Sequence, residues 1–258
     1  MLYFVVLTRI RNALFATVLQ AIGNETRLGI AFSGGVDSTL LAKICKDIGI
    51  DATLLTVGFS RSRDVTFSGE IARIMNMPHK ILKLDNERFH EDTKLVSNKI
   101  RCNIISHIEN CIAFFYIGRL AHDNNIHCVL TANGCDELFC GYDRFRSVYP
   151  QGQTALMDLL DAKLENELVL MQEINRITEE FGVTVKQPFL LPDFISFAKG
   201  IPINYKISGP SDMVRKHILR KTASVIGVPT PSVMQRKMAL QYSSLIHKEF
   251  CKGNKEAQ

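Results

Sequence analysis

Residues 31–38 read Ala-Phe-Ser-Gly-Gly-Val-Asp-Ser, an apolar strand end running into two glycines, two hydroxyls and a carboxylate. Gly34 and Gly35 let the backbone pass close to a bulky anion in dihedrals closed to other residues. The helix that follows would aim its free N–H groups and positive dipole end at that anion. The Ser33 and Ser38 hydroxyls add donors for phosphate oxygens. Asp37 would repel a bare phosphate, so it either holds Mg2+ that bridges phosphates or caps the helix. An ordinary glycine turn is the competing reading, and a Gly-Gly pair alone would favour it. The complete Ser-Gly-Gly-x-Asp-Ser after an apolar strand favours phosphate binding instead. It is neither a GxxxxGKS/T loop nor a GxGxxG turn.

A second chemical stretch, Thr131-Ala-Asn-Gly-Cys-Asp-Glu-Leu-Phe-Cys-Gly-Tyr142, also follows an apolar run. Cys135 and Cys140 within it read as small packing residues, because no adjacent basic group would activate either thiol. His79, His107, His122 and His127 show no ligand spacing and read as surface or core residues.

These stretches need a scaffold, and the pattern around them supplies one. Apolar positions Phe15, Val18, Leu19 and Ile22 fall at helical spacing from Leu14 and close at Gly23. Strands are predicted at 28–32, 52–59, 79–84 and 128–131, with helices at about 36–48, within 60–77, at 87–101 and at 104–125. Strands separated by helices imply βαβ crossovers, a parallel sheet and ligand binding at the strands' carboxyl ends. Both chemical stretches stand at such ends, so they are expected to face one crevice. After Pro150 the strand pattern fades into helices at about 156–181, 212–226 and the C-terminus. The fold class expected is α/β, a parallel-sheet Rossmann-like domain: a phosphate-binding α/β core at about 25–150 and a mostly helical part at about 151–258.

Bulk properties set the outer limits. The 258 residues are 46% hydrophobic, enough for a large core. The net charge of +5 favours anionic ligands, but its cations are scattered, so neither a nucleic-acid stripe nor a nucleic-acid partner is expected. Seven cysteines without a CxxC pair argue for reduced thiols and a cytoplasmic location. Arg9 and Arg11 interrupt the apolar start, which fits neither a signal peptide nor a membrane span.

The loop at Ser33–Ser38 resembles the PP-loop of the N-type ATP pyrophosphatases, which include GMP, NAD, argininosuccinate and asparagine synthetases. The stretch at 131–142 resembles the Ser-Gly-Glu-Gly-x-Asp-Glu-Leu-Phe-x-Gly-Tyr segment of the asparagine synthetase domain, shared with β-lactam synthetase. Lys186–Leu190 (KQPFL) resembles the Arg-x-Pro-Phe-Leu-Asp of that domain, and Arg236–Ser244 (RKMALQYSS) its lysine-bearing segment. The matches run in order over roughly residues 25–245, so the chain resembles the synthetase domain of the asparagine synthetase-like group.

That resemblance implies cleavage of ATP between its α- and β-phosphates. Ser33, Gly34, Gly35, Asp37 and Ser38 would hold pyrophosphate and Mg2+, and Val57 with Gly58 would border adenine. Thr131 and Gly134 join the nucleotide-binding set. Asp136 would be a second magnesium ligand, Glu137 would support that region or cap its helix, and Lys237 would neutralise charge on the phosphates as an adenylate forms. Three departures stand out: Asn133, Leu191 and Thr184 replace family carboxylates, with Asp193 the nearest acidic stand-in. Aspartate amidation is thereby in question. Position 2 is leucine and about thirty residues precede the loop, so a glutaminase domain with an N-terminal cysteine is not expected. The reaction expected is an AMP-forming ligation of a small carboxylic or amino acid with ammonia or an amine, the nitrogen free or from a separate glutaminase subunit. Homo-oligomerisation stays open. The alternatives are an ATP pyrophosphatase modifying a nucleobase or tRNA, and a non-catalytic ATP-binding regulator.

Overall fold

Strand segments that are apolar without alternation must be buried on both faces. Residues 52–59 in the computed structural model are all buried, and Leu28 and Ile30 are fully enclosed. The structure describes residues 2–102 and 104–256.

In chain order the elements are α1 (Leu2–Ile22), β1 (Arg27–Ala31), α2 (Val36–Asp47), β2 (Asp51–Phe59), α3 (Arg63–Met75) and β3 (His79–Leu84). Then come α4 (Asn86–Lys99), α5 (Ile105–His122), β4 (Cys128–Leu130), α6 (Cys135–Leu138), α7 (Arg144–Val148), α8 (Gln153–Glu179) and β5 (Thr184–Lys186). The chain continues through α9 (Pro192–Lys199), α10 (His217–Ile226), α11 (Thr230–Met234), α12 (Leu240–Ser243) and α13 (Ile246–Glu256).

Among the described residues the strands form one five-stranded sheet in the order β3-β2-β1-β4-β5, every pairing parallel. The protein is thus α/β with a Rossmann-like doubly wound sheet, as expected. From β1 the chain winds outward to β2 and β3, then returns to add β4 on the other side of β1. That reversal makes the carboxyl ends of β1 and β4 a topological switch point, where open α/β sheets bind ligands. One helical layer joins α1, α2, α10 and α11, and a second joins α4, α5, α8 and α13.

Two features depart from the sequence reading. The fading strand pattern after Pro150 conceals β5, too short at three residues to show a period. Its amide at Val185 is held by the Asn175 side chain (2.9 Å), and its carbonyl at Lys186 accepts from Thr131 N (3.0 Å), so it fixes the end of β4 from which the second motif opens. The first helix begins near Leu2, and its buried stripe is Leu7, Ile10, Leu14, Val18 and Ile22. Leu19, expected to be buried, is 52% exposed. Twelve further residues of helix turn the packed face toward α2, α9, α10 and the 188–190 turn, because the stripe must follow the groove those elements leave. The window Val5–Ile22 is long and apolar enough to cross a membrane by length and composition, while Arg9 and Arg11 within it lie exposed.

Candidate active site

The loop at Ser33–Ser38 is held by its own hydroxyls. Ser38 Oγ accepts from Ser33 N–H (3.3 Å) and donates to Gly35 O (3.3 Å), while Ser33 Oγ accepts from Gly35 N–H (3.3 Å). Gly34 sits at φ +76°, where a Cβ would also crowd the α3 backbone at Ser68 (3.2 Å). No side chain caps α2, so of the two roles for Asp37 helix capping is not the one adopted, and the first-turn amides are left for an anion.

The two chemical stretches meet as expected. Ser33, Asp37, Ser38, Val57, Thr131, Asp136, Glu137 and Lys237 all line one cavity of about 320 Å³ at the switch point. Gly35 lines a smaller neighbouring cavity of about 60 Å³ with Ser33, Asp37, Ser38 and Lys237. Gly58 and Gly134 stand behind the wall: a Cβ at Gly58 would lie 2.7 Å from Ser62 Oγ, and one at Gly134 2.7 Å from Leu190 Cδ2. Of the departures, Asn133 lines the cavity; Thr184 and Asp193 are exposed outside it, and Leu191 is not in its wall. Asp193 therefore supplies no carboxylate to this site.

A residue absent from the sequence reading stands at the centre. Lys216 Nζ lies 2.5 Å from Asp37 Oδ2 and 2.6 Å from Asp136 Oδ1, and Lys237 pairs with Asp136 Oδ2. Lys216 is 1% exposed, so it joins the two predicted metal ligands as a buried bridge. Burial alone would raise the Asp136 carboxyl, but Lys216 and Lys237 outweigh it and hold it well below the ordinary range. The same carboxylates hold the Lys216 ammonium above its ordinary value against the opposing effect of burial. Arg215 and Lys216 occupy consecutive left-handed positions (φ +55° and +54°), a strained turn pinned by Arg215 Nε to Gly141 O (3.0 Å) and by Asp212, which accepts from the Val214 and Arg215 amides (3.0 and 2.9 Å). Only glycine fits at 141, where a Cβ would fall 1.9 Å from Asp136 Oδ1 and 2.2 Å from Lys216 Cε.

Two further carboxyls appear. Glu167 on α8 accepts from Asn133 Nδ2 (2.5 Å) inside the cavity, next to Glu137, which accepts from the Tyr142 hydroxyl rather than capping a helix. Burial, then the charge of Glu167 and Asp136, lifts Glu137 to about 8, and burial lifts Glu167 as well. Asp64, at the start of α3, lines both cavities and accepts from Ser243 Oγ (2.8 Å); burial raises it from 3.8 to about 7. The cysteines beside the motif are enclosed in the core, in keeping with packing residues: burial pushes Cys135 well above its ordinary value and Cys140 to about 12.

A magnesium ion finds a donor here. Asp37 Oδ1 is buried with no hydrogen-bond partner, an anionic oxygen left free while its twin faces Lys216. The other oxygens of the aspartate pair already face ammonium groups, so Asp37 Oδ1 is the carboxylate oxygen a magnesium ion would find free here.

Compared with known proteins, residues 9–172 and 157–254 match the family model described as asparagine synthase. The chain is 29% identical over 199 residues to a protein of Methanocaldococcus jannaschii named as an asparagine synthetase (glutamine-hydrolyzing), covering 76% of this chain and 37% of that one. It is 26% identical over 207 residues to the asparagine synthetase (glutamine-hydrolyzing) of Rattus norvegicus, covering 77% and 36%. The chain thus spans little more than a third of these relatives' length. Among solved structures, NH3-dependent NAD synthetase from Campylobacter jejuni superposes with a TM-score of 0.39 and 17% identity over 53% of this chain and 60% of that one.

Proposed function

The chain belongs to the asparagine synthase family, and on that premise we propose that it is an ATP-dependent, AMP-forming ligase that adenylates a small carboxylic acid and passes the acyl group to ammonia or an amine. One observation carries the reading: the PP-loop, the second motif and Lys237 line a single cavity at the sheet's switch point. ATP would lie with its adenine along Phe32, Thr56 and Val57 and its phosphates over the loop. Mg2+ held by Asp37 and Asp136 would screen the phosphate charge when bound. The loop amides and hydroxyls, with Lys237, bind the phosphates and supply fixed positive charge where negative charge grows on the α-phosphate. Arg220 and Arg236 join Lys216 around the smaller cavity behind the loop, a basic recess suited to departing pyrophosphate.

The nitrogen side falls to Glu167. Its carboxyl, held by Asn133, faces the same cavity as Glu137, and a carboxyl raised by burial is suited to orienting an ammonium and taking its proton. A cytoplasmic location and a separate glutaminase as nitrogen source belong to the same proposal.

The test is ATP–pyrophosphate exchange and AMP release against a panel of amino and other carboxylic acids with ammonia, with Asp37→Ala and Lys237→Ala as controls. Acid-dependent exchange, abolished in both variants, is expected. ATP binding without exchange for any acid would replace the ligase by the second reading, a nucleotide-binding regulator, which the Lys216 bridge between the two aspartates favours.

A further inference from the structure

Outside the cavity, α5 and α13 pack together and bring three chemical groups into line. His247 Nδ1 donates to Glu109 Oε1 (2.6 Å), and His247 Nε2 lies 3.7 Å from Cys251 Sγ, one helical turn on. Glu109 is 1% exposed, so its carboxylate is a fixed, desolvated acceptor that selects the tautomer with the proton on Nδ1. Nε2 is then the free base, directed at the thiol. The imidazole also packs against the tilted ring of Tyr242, ring centroids 4.6 Å apart.

The other thiols set the contrast. Cys45, Cys111, Cys128, Cys135 and Cys140 are buried, and burial raises every one of them. Cys102 is half-buried like Cys251 and has an imidazole 3.5 Å away, His107 Nδ1. No carboxylate is hydrogen-bonded to His107 among the described residues.

We propose that Cys251 is a thiol-exchange site, activated through His247 by Glu109, that takes a small-molecule disulfide from solvent. His247 Nε2 accepts the thiol proton; the Cys251 thiolate attacks one sulfur of the disulfide, forming a mixed disulfide and breaking the S–S bond. The departing thiolate takes the proton back from His247, so no further oxidant is needed. The site does not rest on the ligase reading, since neither Glu109, His247 nor Cys251 lines the cavity.

The test exposes the native chain to oxidised glutathione and follows each cysteine by peptide mass spectrometry. Cys251 is expected to acquire the adduct several-fold faster than Cys102, because the imidazole beside Cys251 is oriented by a buried carboxylate and the one beside Cys102 is not. His247→Gln and Glu109→Gln should remove most of that advantage while the five buried thiols stay unmodified, which reports that the variants are folded. Equal rates at Cys251 and Cys102, or a Cys251 rate indifferent to His247→Gln in a chain whose buried thiols remain protected, would overturn the proposal. So would Zn2+ isolated with the chain and lost in Cys251→Ser, since the three donor atoms lie within 4.8 Å of one another.

Discussion

At the scale of residues, the site is a charge balance around Asp37, Asp136, Lys216 and Lys237. Removing one partner from a buried pair strands the other, which typically costs about 3–5 kcal/mol. Lys216→Met is therefore expected to lower the unfolding free energy by about that much in urea titrations and to abolish ATP binding. Lys237→Met, at a side chain 23% exposed, should weaken nucleotide binding with a smaller stability loss. Equal destabilisation by the two would refute the bridge as the buried element. Asp64 makes a pH prediction. Its folded value, about 7, lies above its ordinary 3.8, so the stability of the protonated buried form is complete below about pH 4 and is lost as pH rises through 7. Between those limits the slope contributed is at most about 1.4 kcal/mol per pH unit. Asp64→Asn should flatten the urea midpoint against pH from 4.5 to 7.5, and an unchanged slope would show that Asp64 is ionised throughout.

At the scale of elements, the motifs work because short pieces hold them. β5 is three residues long, yet its backbone holds Thr131 and its own edge is tied to α8 through Asn175. Asn175→Ala is expected to cost about 1–2 kcal/mol, leaving the Val185 amide unpartnered, and to speed hydrogen exchange at Val185 and Thr131 together. Acceleration at Val185 alone would mean that β5 does not support the second motif. α1 plays a similar part from the other layer, where Thr17 Oγ1 donates to Pro188 O (2.8 Å) and fixes the Pro-Phe-Leu turn beside Gly134. These supports were hard to read in the sequence. A three-residue strand carries no period, and the stripe of α1 is chosen by its neighbours rather than by its own composition.

At the scale of the molecule, the sheet's reversal between β1 and β4 decides where ligand goes, and binding there should stabilise the whole fold. ATP with Mg2+ at about a hundred times its dissociation constant adds about 2.7 kcal/mol, a rise in Tm of roughly 5–10 °C for a chain of this size. Asp37→Ala should cancel the rise, and a rise that survives the substitution would move ATP elsewhere. The sequence by itself determined the parallel α/β scaffold and both motifs, because each motif is contiguous: strand end, turn and first helical turn follow one another, and their backbone geometry is local. It also determined that the motifs share a crevice, since both lie at carboxyl ends of parallel strands. Only the tertiary structure decided what completes the site. Lys216 comes from 179 residues beyond Asp37 and Glu167 from 34 beyond Asn133, and each looks in sequence like a solvated charge on an amphipathic segment. A Lys-x-x-x-Arg spacing at Lys216 and Arg220 was the one local signal for the first; none marked the second. Burial of a charge is a property of the surroundings it folds into, and those surroundings are assembled from distant parts of the chain.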